Sequence, residues 1–191
     1  MRVIGGLAKR RTLKAPPGRS IRPTAERVKE ALFNILAAKI PGARFLDLFA
    51  GTGSVGIEAL SRGAAQVVFV ERSPRALNLI RENLRRTGFS DRALVFAKDA
   101  LLALNLLQRR GETFDVIYID PPYGKGYELK ALSLIGSSGL LGRGGLVITE
   151  TDCRNELPEK VQNLKLFRGE RYGDTALSFY CAKESKTPLD R

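Results

Sequence analysis

The feature that most restricts the fold is an alternation beginning at Arg44, in which short apolar runs take turns with segments of helical periodicity. The spacing predicts strands over 44–49, 66–70, 93–97 and 114–119, with helices over 54–62, 74–87 and 99–110 between them. Parallel strands need long crossovers, usually helical and right-handed, so the expected architecture is α/β: a mostly parallel sheet with helices on both faces. Ligands of such sheets sit at the carboxyl ends of the strands. A helix near 127–137 and a strand over 145–150 continue the series. Two late strands, 164–170 and 175–182, flank Tyr172-Gly173-Asp174 and predict an antiparallel hairpin at the C-terminal end.

The chain ahead of this pattern is different. Residues 2–14 read as two short strands around Gly5-Gly6, and Ala15-Pro16-Pro17-Gly18 interrupts regular structure. Thr24, after Pro23, suits a helix N-cap, Glu26 suits the first turn, and Val28, Leu32, Ile35 and Leu36 form an apolar stripe that Pro41-Gly42 should end. The expected organisation is a basic hairpin arm over 1–23, a main domain over 24–182 and a polar tail over 183–191. The formal net charge is +12, and the first thirty residues hold nine Lys or Arg against Glu26 and Glu30. Such a local excess attracts phosphate-rich partners by Coulomb forces and counterion release. It marks Arg10, Arg11, Lys14 and Arg22 as candidate nucleic-acid contacts.

Several classes of chemistry are disfavoured. The chain has no histidine, which removes imidazole bases and Ser-His or Cys-His pairs. Cys153 and Cys181 are far apart in sequence and match neither a metal-ligand spacing nor a disulfide framework, so no metal is expected. The apolar runs fall well below the roughly 18 to 20 residues that span a bilayer, and no secretory signal follows the N-terminal basic residues. A cytoplasmic location and no membrane partner are the expectations.

Two loops carry the functional pattern. Asp47-Leu48-Phe49-Ala50-Gly51-Thr52-Gly53-Ser54-Val55-Gly56 joins the first strand of the series to its helix, where glycines let a ligand approach the backbone. Gly51, Gly53 and Gly56 match the dinucleotide pattern, and Glu71, twenty residues on, can accept from ribose hydroxyls. A dinucleotide and another nucleoside cofactor both remain open on these residues. Asp99 opens the helix after the third strand and suits a helix N-cap, a contact to a base, or both. Asp120-Pro121-Pro122-Tyr123 follows the strand 114–119. Its prolines fix the backbone and remove two N–H donors, so the Asp120 carboxylate and the Pro121 carbonyl can both accept from one amino group while the Tyr123 ring offers a stacking face. Gly124-Lys125-Gly126 reads as a flap whose Lys125 could meet a phosphate.

The segment Asp47 to Gly53 resembles motif I of class I methyltransferases, and Asp120-Pro121-Pro122-Tyr123 resembles motif IV of those that modify amino groups. This resemblance implies a class I methyltransferase Rossmann-like sheet with S-adenosylmethionine as donor and S-adenosylhomocysteine as product. It also implies cofactor contacts from Asp47, Phe49, Gly51, Gly53, Glu71, Arg72, Asp99, Ala100 and Asp120, with the reaction at Asp120, Pro121, Pro122 and Tyr123. The opening segments Arg2-Val3-Ile4-Gly5-Gly6, Arg19-Ser20-Ile21-Arg22-Pro23-Thr24 and Arg27-Val28-Lys29-Glu30 are similar to those of the RsmD family of bacterial 16S ribosomal RNA guanine-N2 methyltransferases, a likeness that runs from Arg2 to Tyr180. It implies that a monomer acts on 16S rRNA within an assembling small subunit, with Arg22, Thr24 and Arg27 near the cofactor and RNA entrance. Competing readings are a DNA adenine-N6 methyltransferase, an NAD-dependent oxidoreductase that would leave 120–123 unused, and a non-catalytic RNA-binding factor.

Overall fold

The computed structural model describes residues 1–16 and 23–183; Arg22 and the expected tail beyond Lys183 lie outside the described residues. One eight-stranded sheet runs in the order β3-β2-β1-β4-β5-β8-β7-β6. Its parallel half comprises β1 (Arg44–Leu48), β2 (Gln66–Glu71), β3 (Ala93–Ala97) and β4 (Phe114–Ile119), with β5 (Leu141–Asp152) parallel to β4. The antiparallel half comprises β6 (Lys160–Val161), β7 (Leu164–Tyr172) and β8 (Thr175–Ala182). Helices α1 (Pro23–Ile35), α2 (Ser54–Ser61), α3 (Pro74–Thr87), α4 (Ala100–Arg109) and α5 (Tyr127–Gly136) complete the fold. No helix among the described residues is long and apolar enough to cross a membrane.

Strand periodicity divides the core into two layers. Phe45, Val67, Phe69, Val116 and Tyr118 pack towards α1, α2 and α3, whereas Leu46, Val68, Val70, Ile117 and Ile119 pack towards α4 and α5. Alternate residues point to opposite faces, so these almost wholly apolar strands supply both layers.

Besides the short β6, which was not expected, and β7, which runs on to Tyr172, helix α1 and strand β5 differ from the sequence expectation. Helix α1 ends at Ile35, ahead of Pro41-Gly42. The Lys39 and Ile40 N–H groups both donate to the Leu36 carbonyl, at 2.8 and 3.2 Å, so a compact turn keeps Leu36 and Ile40 in the core without a regular helix. Strand β5 begins at Leu141, four residues early, because a register shift opposite Phe114 and Val116 absorbs Gly144 and Gly145. A Cβ at Gly145 would lie 2.9 Å from the Gly142 carbonyl oxygen, so the bulge depends on glycine there.

In place of the two short strands expected over 2–14, the described residues of the arm hold an isolated antiparallel bridge, Arg2 to Thr12, and the segment lies against the domain. Val3, Ala8 and Leu13 are buried in the α1–α3 layer. The fully buried Glu58 of α2 accepts from the Ile4 and Gly5 N–H groups, both at 2.8 Å, and Ser61 Oγ accepts from Ala8 N–H at 2.9 Å. Gly6 has φ 73°, and a Cβ there would fall 1.8 Å from the Ser61 carbonyl oxygen, so this close approach requires glycine.

Candidate active site

The loop after β1 is pinned from both ends by carboxylates. Asp47 is 2% exposed, and its Oδ2 accepts from the Gly56 N–H at the start of α2, at 2.9 Å. Burial pushes its carboxyl up to about 7 against the opposing effect of that hydrogen bond. From β2, Glu71 Oε2 accepts from Gly51 N–H at 2.9 Å while its Oε1 accepts from Arg72 and Ser73 N–H, both at 2.8 Å. Glu71 therefore shapes the loop, and its Oε2, which accepts a single N–H, keeps room for a further donor. Gly56 allows α2 to close on β2, since a Cβ there would fall 2.3 Å from Phe69 Cε1. Phe49 holds φ 73°, a left-handed conformation that costs a β-carbon residue about 1 to 2 kcal/mol. Its ring meets Tyr127 at 5.8 Å between centroids.

Two cavities open at the carboxyl ends of the strands. The first, of about 480 Å³, is walled by Glu71, Arg72 and Asp99 on one side and by Asp120, Pro121 and Tyr123 on the other. Ala100 also lines it. Asp99 Oδ1 accepts from Leu101 N–H at 3.0 Å as the N-cap of α4, while Oδ2 lies 3.6 Å from Arg72. The cap thus leaves part of the carboxylate facing the cavity. The second cavity, of about 900 Å³, is reached past Lys29, Ser54 and Arg75 and ends at Asp47, Asp120 and Glu150. Phe49, Gly51 and Asp120 line both, so the two cavities share a wall at the exits of β1 and β4.

That shared wall is acidic. Burial raises the Asp120 carboxyl well above the usual carboxylate range, with the Glu150 and Asp47 charges adding in the same sense. Burial likewise raises Glu150, although the Tyr118 hydroxyl that donates to it opposes the shift. Among the described residues, no Lys or Arg forms an ion pair with Asp47, Asp120 or Glu150. Past Asp120, Pro121 is buried, whereas Tyr123 is 50% exposed with its phenol pushed up to about 12 by partial burial. Gly124 and Gly126 have φ 75° and 63°, and the exposed Lys125 lies between them.

The structure therefore brings Asp47, Phe49, Gly51, Glu71, Arg72, Asp99, Ala100 and Asp120 to Tyr123 together. Gly53 lines neither cavity; its φ of 77° turns the chain into α2. Arg10, Arg11, Lys14 and Lys125 lie outside both cavities on the surface. Sequence reasoning missed Glu150, whose signal was an acid at the exit of the apolar run Leu146 to Thr149, and Tyr118, which reads as a core aromatic. It also missed Lys29, 6% exposed, whose Nζ donates to the Arg2 carbonyl and Ser54 Oγ, both at 2.9 Å, beside Glu58 at 3.6 Å.

A parallel β3-β2-β1-β4-β5 sheet ending in antiparallel strands, with glycines after β1 and an Asp-Pro-Pro-Tyr segment after β4, is the fold of the class I methyltransferases. At this level the chain is similar to the solved structure of yhhF from Escherichia coli, with a TM-score of 0.81 and 32% identity over 94% of this chain and 96% of that one. It is also similar to the protein TTHA0928 of Thermus thermophilus, with a TM-score of 0.80 and 38% identity over 94% and 98%. The chain belongs to the family described as conserved hypothetical protein 95, the RsmD family, whose model matches residues 1–181. It is 33% identical over 180 residues to ribosomal RNA small subunit methyltransferase D of Escherichia coli (strain K12), covering 94% of this chain and 89% of that protein. YlbH of Bacillus subtilis (strain 168), which carries a provisional rRNA methyltransferase name, is 44% identical over 181 residues, covering 94% and 98%.

Proposed function

We propose that this protein transfers a methyl group from S-adenosylmethionine to the exocyclic N2 of a guanine in 16S rRNA. The observation that carries the reading is Asp120, the one ionisable residue that lines both cavities, set at a strand exit and followed by a rigid acceptor segment. The names of the relatives support RNA of the small subunit as the substrate class. The Asp-Pro-Pro-Tyr segment, unused by the oxidoreductase reading, supports a methyl donor over NAD.

The residues present fit S-adenosylmethionine. A cavity of about 480 Å³ falls within the range of small-ligand sites, roughly 300 to 1,000 Å³. Glu71 and Asp99 offer acceptors to ribose hydroxyls and an adenine amino group, and the Gly51 backbone lets a ligand pass close to the loop. Asp47, Asp120 and Glu150 together favour a positive group. When bound, S-adenosylmethionine supplies a methyl group on a cationic sulfur.

The chain's own residues must then hold and activate a poor nucleophile. The lone pair of an aromatic amine is delocalised into its ring. Asp120 and the Pro121 carbonyl accept from the two N–H groups and draw them out of the ring plane, which returns the lone pair to nitrogen. Tyr123 stacks on the base and sets its angle of entry. The methylated nitrogen sheds its proton to Asp120 or to water, so no imidazole is needed.

Incubation with labelled S-adenosylmethionine and unmodified small-subunit particles, their naked RNA, or DNA, followed by mass spectrometry of the nucleosides, tests the proposal. N2-methylguanine from particles or RNA is the expected product. N6-methyladenine from DNA would transfer the reading to a DNA enzyme.

A further inference from the structure

The arm's basic residues do not stand apart from the domain. Arg11 NH1 donates to the carbonyl of Arg86 in the last turn of α3, at 2.5 Å. Lys14 Nζ lies 2.5 Å from Glu82, the only acid of α3, which Arg86 also meets at 3.2 Å. Between these two staples is Asn83, fully buried. Its Oδ1 accepts from Lys14 N–H at 2.8 Å, and its Nδ2 donates to the carbonyls of Lys14 and Thr52, at 3.1 and 3.0 Å. One side chain thus joins the arm, α3 and the loop that borders both cavities.

The result is a continuous basic surface. Helix α3 carries Arg75, Arg81, Arg85 and Arg86, all exposed, against Glu82, whose charge is taken up by Lys14 and Arg86. Arg75, Glu82 and Arg86, spaced by seven and four, share one line of the helix. Arg75 stands at the mouth of the second cavity, and Arg86 lies roughly 16 Å farther along the axis at 1.5 Å per residue, where Arg11 joins it. Among the described residues, Arg75, Arg81 and Arg85 form no ion pair. Guanidinium groups in this arrangement match the phosphates of a nucleic-acid strand.

We infer that the exposed arginine face of α3, fused to the arm by Arg11, Lys14 and Asn83, is half of the RNA-binding surface and guides the phosphate backbone towards the reacting centre. This inference rests on RNA being the substrate. It adds that the contact surface includes a helix of the catalytic domain, so that the arm alone should be insufficient.

The test compares the wild type with the triple variant Arg81→Gln, Arg85→Gln, Arg86→Gln, and with Arg109→Gln, Arg110→Gln at the C-terminal end of α4 on the opposite face of the sheet. Binding to an unmodified small-subunit RNA transcript is measured across salt concentrations, alongside binding of S-adenosylmethionine and methyl transfer. The triple variant should bind RNA at least tenfold more weakly and lower the slope of log affinity against log salt by about 2, at roughly 0.7 to 0.9 per lost phosphate contact. Its cofactor affinity should stay within about twofold, and the α4 variant should keep the wild-type slope. A wild-type slope in the triple variant, or an equal loss in the α4 variant, would overturn the inference while leaving RNA methylation intact. A wild-type protein that neither binds nor methylates RNA would overturn both.

Discussion

Asp120 has to accept hydrogen bonds from an amine, yet its surroundings favour the neutral acid. Burial and the nearby Glu150 and Asp47 raise its carboxyl, so the free protein holds protons in this cluster that a bound cation would expel. Replacing Asp120 by Ala removes one of the two acceptors for the target amino group. The turnover number should fall by about 10² to 10³, the range seen when one transition-state hydrogen-bonding group is lost, while cofactor affinity changes by less than about threefold. Single-turnover transfer and calorimetry separate these outcomes; retained transfer would remove Asp120 from the reaction. Asp47 yields a pH prediction with a definite sign. Its carboxyl rises from 3.8 to about 7 on folding, so the folded state binds a proton that the unfolded state has released between those values. Its stabilising contribution is complete below the unfolded value and is lost as pH climbs through about 7. Glu150 and Asp120 shift in the same direction. The melting temperature of the wild type should therefore fall between about pH 4 and 7, and Asp47→Asn should flatten that fall. A variant curve parallel to the wild-type curve would show that Asp47 is not the titrating group.

At the scale of elements, the join between arm and cofactor loop is the feature with measurable consequences. Asn83→Ala would leave the Lys14 N–H and the Lys14 and Thr52 carbonyls without their partner, at a cost of roughly 2 to 4 kcal/mol. Urea denaturation should register that loss. Limited proteolysis should also cut first within the arm, and cofactor affinity should weaken several-fold because Thr52 lies in the pinned loop. Equal cofactor affinity would show that the loop holds its shape without the arm. Such a join was not legible in the sequence. Asn83 is 69 residues from Lys14, and Glu58 is 54 from Ile4, so nothing local marks either as more than a polar residue on its helix. The strands and helices of the parallel half were legible to within a residue or two, since their apolar periodicity and bounding turns are local signals. Asp120 and Glu71 were legible for a related reason: a carboxylate at the exit of an apolar strand stands out against the run before it. Glu150 stood in an equivalent position, but Thr149, Thr151 and Asp152 around it masked the contrast, and its importance arises from Tyr118 and Asp120 on the adjacent strand. The early end of α1 and the bulge of β5 depend on packing against other elements, which local pattern does not encode.

For the whole molecule, the charge distribution and the cofactor cavity predict separable behaviour. Neutralising Arg10, Arg11 and Lys14 together should weaken RNA binding and flatten its salt dependence. The three will not contribute alike, because Arg11 and Lys14 are also bonded to α3 whereas Arg10 is an exposed turn residue with φ 71°. Arg10→Gln alone should affect RNA affinity without changing the melting temperature, and Lys14→Gln should change both, with a loss of folding stability below about 1 kcal/mol for an exposed pair. A shifted melting temperature in Arg10→Gln would assign that residue a structural role. The cofactor cavity obeys a different linkage. A ligand that binds only the folded state at a hundred times its dissociation constant adds about 2.7 kcal/mol, which in a chain of this length raises the melting temperature by roughly 5 to 10 °C. S-adenosylmethionine should produce that rise and NAD at equal concentration should not, because the glycine loop closes on Glu71 and Asp47 and leaves the second half of a dinucleotide nowhere to go but the acidic wall at Asp120 and Glu150. A pyrophosphate placed there would face Asp47, Asp120 and Glu150, while the nearby Lys29 is already held by Glu58, Ser54 and the Arg2 carbonyl and Arg75 stands at the rim. A rise with NAD equal to that with S-adenosylmethionine would mean that this wall does not select by charge, and the assignment of the methyl donor would fall with it.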